Sequence, residues 1–483
     1  MHETRAGIGG GAHIMKILAI DQGTTSTKAF TYDEDGAFKR IYSADVKQHF
    51  PQAGWVEHEA DELLFHIENA IKKAGKIDAI GIANQGETLL AWNSKTGEPI
   101  SRAIVWQDDR SKEFCARIKA GGGEALTKAK AGLPLDPYFS ASKFRWLLDN
   151  NAEARDLAEK GHLHLGTTDA FFLERLTGEF VTDVTTASRT SLLSLDTLQW
   201  DNELCALFGV PRECLPEIRA TTGPFGANIT ASMVDQQAAL FGHGCMKPGD
   251  AKITFGTGAF ALALVGPQRP KQDQSGLLPT VAWKIANAPA DFAVDGGVYN
   301  AASAVNWAKG LGLFKTYEEI NGFEKPSAIS RGLAFVPALS GLAAPHWDRN
   351  ASGLWLGLSL DTTKHDMMQA LLEGVALRAT EVMTAIARQG GKGKSLSIDG
   401  GLSANSYFCQ FLANAMDRQV SVASSTDLTA LGVARMAMLG AGAKSLPTLP
   451  SPTKQFLPLD PLPANLIARF GIAILRAKGW KGF

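Results

Sequence analysis

"KILAIDQGTTSTKAFTYDEDG", Lys16–Gly36, is the stretch on which the reading of this chain turns. Lys16–Ile20 reads as a short buried strand, "DQGTT" as a turn, Lys28–Tyr32 as a returning strand and "DEDG" as the next turn. The result is a β-hairpin with glycine and threonine at its tip. The same plan returns past the middle of the chain, in "AKITFGTGAFALALVGP", Ala251–Pro267. A third glycine turn, "DGG" at Asp399–Gly401, follows a strand and leads into a helix. Such turns suit phosphate: without a Cβ, backbone N–H groups can converge on an anion, and threonine or serine hydroxyls add donors. Gly23, Thr24, Thr25, Ser26 and Thr27 are available at the first tip, with Lys28 behind them, and Gly256, Thr257 and Gly258 at the second. One such turn is an ordinary hairpin; one at the head of each half argues for a phosphate ligand. Asp21, at the strand end, is placed to hold Mg²⁺, which takes one or two carboxylates with phosphate oxygens and retained water; a solvated turn aspartate is the alternative.

Working outward, the chain has 483 residues, enough for two domains of roughly 200 each. With 45% hydrophobic and 20% charged residues and a formal net charge of −1, it gives no ground for electrostatic capture of nucleic acid or an anionic membrane. No apolar run reaches the roughly 18 residues of a membrane span. The five cysteines form no C-x-x-C pair, so neither a disulfide framework nor a zinc site follows, and reduced cytosolic thiols are expected. Residues 1–14 have no apolar h-region and read as a disordered extension. No G-x-x-x-x-G-K-[ST] occurs and no G-x-G-x-x-G follows an early strand, which disfavours a P-loop and a dinucleotide-binding Rossmann domain.

Between these marks lie a strand at Asp78–Gln85, another at "RAIVWQDDRS", and helices at Ala60–Ala74, Ala141–Asn150, Thr168–Leu176, Met367–Arg388 and "TDLTALGVARMAMLGAG", the last with small residues on one face. The expectation is an α/β fold of two similar domains around a central cleft: 15–243, 249–443, then 444–483 as a proline-rich extended connector and closing helix Ala464–Lys478.

The stretches "IDQGTTSTKAF", "GWVEHEADEL", "GIANQGETLLAWNSKTGEPISRAIVWQDDR", "GLPLDPYFSASKFRWLLD", "VDQQAALFGHG", "FGTGAF", "FVPALSGLAAPHWDRNASGLWLGL", "LEGVALRATEVM" and "DGGLSANSYFCQFLANAM" occur in that order. Together they resemble the FGGY family of carbohydrate kinases, most closely its glycerol kinase branch, from Lys16 to about Gly442. The resemblance implies an actin/hexokinase-like (ribonuclease H-like) fold in each domain and ATP-dependent phosphorylation of a terminal hydroxyl of a small polyol, with glycerol leading. A four- or five-carbon polyol or ketose (erythritol, threitol, a pentitol, ribulose or xylulose) is the alternative. It also implies ATP and Mg²⁺ as cofactors, a cytoplasmic homo-oligomer, namely a dimer, and no nucleic-acid or membrane partner. By its motifs, Asp235 is the catalytic base, and Gly86, Glu87, Trp106, Tyr138, Asp235, Gln236 and Phe260 form the polyol pocket. Thr24, Thr25, Ser26, Lys28, Thr257, Asn306, Gly401 and Asn405 bind nucleotide, and Asp21 is associated with the metal.

The residue chemistry agrees. A hydroxyl is a poor nucleophile until a carboxylate within hydrogen-bond reach orients it and accepts its proton. Asp235 stands in an apolar context and begins a helix, where capping that helix is the competing role. Aromatic walls can hold the C–H faces of a polyol while polar groups read its hydroxyls, although an aromatic side chain is more often core. The chain departs from the family at "IANQGETLL": the branch pattern is N-Q-R-E, and Gly86 stands where the arginine would donate to two hydroxyls. Ala302 and Asn306 replace Gly and Gln, and the loop before Asp235 is shortened to "GPFGANITASMVD", which removes the ground for fructose-bisphosphate regulation. A catalytically lapsed sugar- or nucleotide-binding regulator and an actin- or chaperone-like ATPase are the other classes. The set Asp21, Thr24, Thr257 and Asp235 argues against the first, and Glu87, Trp106 and Tyr138 against the second.

Overall fold

The computed structural model describes residues 15–271, 275–390, 393 and 395–482; the expected extension at 1–14 lies outside them. The hairpin of the opening stretch is present. β1 (Lys16–Gln22) and β2 (Ser26–Asp33) pair in a register that sets Gln22 opposite Thr27, so Gly23, Thr24 and Thr25 make the tip. Gly23 N–H closes the turn by donating to Ser26 O at 3.0 Å. β3 (Phe38–Asp45) extends the sheet beyond β2. α1 (Ala60–Ala74) forms because Leu63, Leu64, Ile67, Ala70 and Ala74 fall on one face, with Asp61 and Glu62 in its first turn and Lys72 and Lys73 in its last. Full burial of each large apolar side chain on that face is worth about 1.5–3 kcal/mol. β4 (Ala79–Asn84), buried throughout, runs parallel to β1. β5 (Thr222–Gly226) and β6 (Ile229–Val234) complete a six-stranded sheet of order β5-β6-β4-β1-β2-β3, and α2 (Asp235–Gly242) leaves directly from β6.

A second sheet repeats the plan. β7 (Ala251–Phe255) and β8 (Ala259–Gly266) form the second hairpin, with β9 (Leu278–Lys284), β10 (Ala290–Val298), β11 (Ser395–Gly400), β12 (Gln419–Val422) and β13 (Lys454–Phe456) in the order β9-β10-β8-β7-β11-β12-β13. The long helix α3 (Lys364–Gly390) packs on β8 and β10. α4 (Leu428–Gly440) crosses back to pack against α2, β1, β4 and β6 of the first sheet. Here the backbones touch: a Cβ at Gly432 would lie 1.8 Å from Ala238 O, and one at Gly242 2.0 Å from Leu428 O. Leu431, Val433 and Met436 of α4 share one core cluster with Ile17, Ala231 and Leu240.

Two expectations need correction. The proline-rich segment is not only a connector, because Lys454–Phe456, the residues between its prolines, pair antiparallel with β12 as an edge strand. In "RAIVWQDDRS" only Ala103–Ile104 is strand, and it belongs to a separate four-stranded sheet with Glu57–His58, Leu89–Asn93 and Leu163–Thr167. The chain turns away after Val105 because Asp108 N–H donates back to Val105 O at 3.0 Å, while the Asp108 carboxylate holds Val56 N and Arg110. All five cysteines are buried and free. Among the described residues no helix is long and apolar enough to cross a membrane.

Candidate active site

Asn84 is paired with Gln22 on one side and Val234 on the other, so β1, β4 and β6 end in one row. The residues that follow, Gly23–Thr24, Gly86–Glu87 and Asp235, therefore emerge together at the carboxyl edge of the sheet, the usual place for a ligand in an open α/β sheet. Across from them β8 and β10 present Phe260 and Asp295. Between the two sheets lies a cavity of about 100 Å³ lined by Thr24, Gly86, Glu87, Trp106, Tyr138, Arg189, Val234, Asp235, Gln236, Phe260 and Asp295, among others. It has room for a molecule of a few heavy atoms. Every residue assigned to the polyol pocket by resemblance lines it. Trp106 and Tyr138 meet edge-to-face at 5.5 Å, and Trp106 Nε1 donates to Thr24 Oγ1 at 3.0 Å.

The polar cluster after β4 divides into two uses. Asn84 and Gln85 are structural: Gln85 bonds His58, Gln22 and Thr88, and Asn84 accepts from Thr186. Glu87 reaches the cavity because the backbone makes a γ-turn around it. Thr88 N–H donates to Gly86 O at 2.7 Å, and Glu87 adopts φ 59°, rare for a non-glycine residue. Gly86 itself has no positive φ; what limits it is Val234, whose Cγ1 would lie 3.2 Å from a Cβ added there. Val234 thus crowds the point from which a side chain at position 86 would grow.

Asp235 is the first residue of α2, and Val234 rather than Asp235 is the N-cap. Its Oδ1 accepts from the adjacent Gln236 N–H at 2.6 Å. Burial raises its pKa to about 6, against the pull of the Gln236 N–H, Lys252 and Arg189. Lys252, fully buried on β7, donates from Nζ to Gln236 Oε1 at 2.6 Å and to Thr254 at 3.2 Å. It holds Gln236, the neighbour of Asp235, and brings positive charge near Asp235. Burial lowers the Lys252 pKa, opposed by Asp399, Asp235 and Asp295.

The glycine/threonine turns sit at strand ends, and Thr24 of the first lines this cavity. Thr25 and Thr257 are exposed, while Ser26 is half-buried and its carbonyl takes the Gly23 N–H. Lys28 Nζ lies 3.2 Å from Asp427 Oδ1, at the start of α4. The Asp21 pKa is raised to about 7 by burial and by Asp235 and Asp427, with Lys28 opposing. Among the described residues no hydrogen bond reaches the Asp21 carboxylate. At the second sheet Phe255 pairs with Ala259 and Gly400, which brings the Gly256–Gly258 turn beside Gly401. Gly400 has φ 88°, and a Cβ there would strike Phe255 O at 2.3 Å, so only glycine fits. Gly401 faces open space. Asn405 caps the following helix by accepting from Phe408 N–H at 2.8 Å and donates to Ile320 O at 2.8 Å. Exposed Asn306 accepts from Tyr317 at 3.0 Å.

Sequence reasoning missed Arg189, Asp295 and Lys252. Arg189 Nε donates to Glu87 Oε1 at 2.6 Å and Nη2 to Asp295 Oδ2 at 3.2 Å. The signal was present: Arg189 is the only charged residue between Val184 and Leu195, a run otherwise apolar, small or hydroxylated. A charge in such a run is buried only with a partner.

Models of the FGGY family of carbohydrate kinases match the chain with the N-terminal domain over residues 16–244 and the C-terminal domain over 251–441. Glycerol kinase of Geobacter sp. (strain M21) is 41% identical over 448 residues, 88% of this chain and 90% of the relative. Glycerol kinase of Thermus brockianus is 40% identical over 490 residues, covering 96% and 99%. Among solved structures, Plasmodium falciparum glycerol kinase with ADP superposes with a TM-score of 0.89 at 30% identity, covering 96% and 98%. Xylulose kinase of Lactobacillus acidophilus shares the fold, with a TM-score of 0.83 at 23% identity over 96% and 97%. The two-domain, actin/hexokinase-like architecture is shared along the whole length, and the chain belongs to the FGGY family of carbohydrate kinases.

Proposed function

We propose that the chain transfers the terminal phosphoryl group of ATP to a terminal hydroxyl of a small polyol, with glycerol as first substrate. The observation that carries this reading is Asp235 in a cavity of about 100 Å³ that is walled by aromatic rings and lined by Thr24 of the first glycine/threonine turn. The relatives named glycerol kinase, about 40% identical over most of the chain, favour glycerol itself. Gly86 favours a second reading, a four- or five-carbon polyol or ketose, since the branch arginine is missing there.

Asp235 would orient the attacking hydroxyl and take its proton, with its carboxylate fixed by the Gln236 N–H and by the N-terminus of α2. Lys252 holds Gln236 in place. Trp106, Tyr138 and Phe260 exclude water from the hydroxyl, which suppresses hydrolysis. Turn amides, Thr257 and Lys28 would meet the phosphate charge. Asp21 would hold Mg²⁺ directly or through water: its carboxylate accepts no bond and faces two others, and among the described residues no cluster of three or more ligating side chains exists. That fits an ion held by one carboxylate, phosphate oxygens and water. When bound, the ion supplies positive charge to the phosphate oxygens. A cytoplasmic homodimer is part of the same proposal; five buried, free cysteines fit a reducing compartment.

The test is ADP release with ATP and Mg²⁺ across glycerol, erythritol, threitol, the pentitols, ribulose and xylulose. Polyol-dependent release led by glycerol supports the proposal, and polyol-independent release overturns it. Asp235→Asn is expected to lower turnover by about 10²–10⁴-fold while ADP affinity stays within a few-fold; near-normal turnover removes Asp235 as base.

A further inference from the structure

Glu87 is not free in the cavity. Its carboxylate and that of Asp295 hold the guanidinium of Arg189, whose side chain is only 4% exposed. A guanidinium has five N–H donors fixed in one plane. Nε serves Glu87 and Nη2 serves Asp295, and among the described residues Nη1 has no partner. Among the described residues, Arg189 is also the only cation lining the cavity that contains Asp235. A buried pair of carboxylates around one arginine is weak as a stabilising device, because desolvation offsets most of the attraction. It is effective at fixing a donor plane, and a donor that the surrounding protein leaves unpaired in a cavity can be met by a ligand acceptor. At position 86, meanwhile, Val234 crowds the space into which a side chain would grow.

We propose that Arg189 is the specificity-determining donor of this site: its Nη1 donates to a substrate hydroxyl other than the one at Asp235, supplying from a different element the guanidinium that position 86 lacks. The inference rests on the polyol-kinase reading above. Glu87 and Asp295 then act as positioning residues for Arg189, one from each side of the cleft. The substrate class that satisfies such a donor is a vicinal polyol, whose second hydroxyl lies beside the reacting one.

The experiment pairs removal of the donor fork with removal of the hydroxyl. kcat/KM is measured by ADP release for the wild type and Arg189→Lys on glycerol, propane-1,2-diol and propane-1,3-diol, with Tm as the control for folding. Arg189→Lys is expected to lose about 10- to 100-fold on glycerol and less than about 3-fold on the diol that lacks the hydroxyl it reads. Where diol turnover falls below detection, dissociation constants from titration calorimetry carry the same comparison. Should Arg189→Lys fail to fold, Asp295→Asn, which loosens the guanidinium without removing it, takes its place. Equal losses on all three substrates, or none, overturn the inference and leave a structural brace. A wild type that is active on no polyol overturns the polyol-kinase reading, and this inference with it.

Discussion

Asp235 combines a helix start, a half-buried position and, in the proposed reaction, a role that requires charge. With its pKa near 6, the carboxylate is ionised at neutral pH and can accept a proton. Below that value the base is protonated, so kcat/KM is expected to fall about tenfold per pH unit below pH 6 and to level off above it. A profile flat down to pH 4.5 rules this out. Asp21, Asp235, Thr24 and Thr257 were recognisable as candidates in the sequence because each stands at or just past a strand end, where chemistry and local pattern coincide; their roles remain part of the proposal. Arg189 was not, because its partners lie about 100 residues away on either side: Glu87 precedes it by 102 and Asp295 follows by 106. Gly86 was legible as a departure but not in its consequence. Val234, a neighbour only in space, decides how much room a side chain there would have.

At the scale of elements, α2 and α4 meet without side chains between them. Gly432→Ala places a methyl 1.8 Å from Ala238 O, so the helices must separate. A cost of about 1–3 kcal/mol is expected, outweighing the gain in helix propensity. Gly471, in the helix Ala464–Ala477, has nothing within 4 Å of an added Cβ. Gly471→Ala is therefore expected to stabilise by about 0.5–1 kcal/mol. Urea midpoints of the two variants should move in opposite directions; movement in the same direction refutes the account of the crossing. The hairpins and α1 were readable since their periodicity is local. The four-stranded side sheet and the edge strand Lys454–Phe456 were not, because strands this short pair through register set elsewhere in the fold.

At the scale of the molecule, the cavity belongs to both sheets. Arg189 ties Glu87, from the first, to Asp295 on the second, and Arg349 meets Asp136 at 3.5 Å in an adjoining pocket that shares Tyr138, Phe260 and Asp295 with the cavity. Asp136 Oδ1 also accepts from Tyr138 N–H at 2.9 Å, so this bridge bears on the aromatic wall. As an exposed pair it is worth at most about 1 kcal/mol. Arg349→Ala is therefore expected to raise the polyol KM by no more than about fivefold and to leave nucleotide affinity unchanged; a larger rise, or a change in nucleotide affinity, contradicts it. The crossing of α2 and α4 brings main chain against main chain, which leaves neither helix room to shift toward the other. Ala238, in contact with Gly432, is one helical turn from Asp235. The main chain that carries Asp235 is thus anchored by backbone contact one turn away, rather than by side chains that can repack.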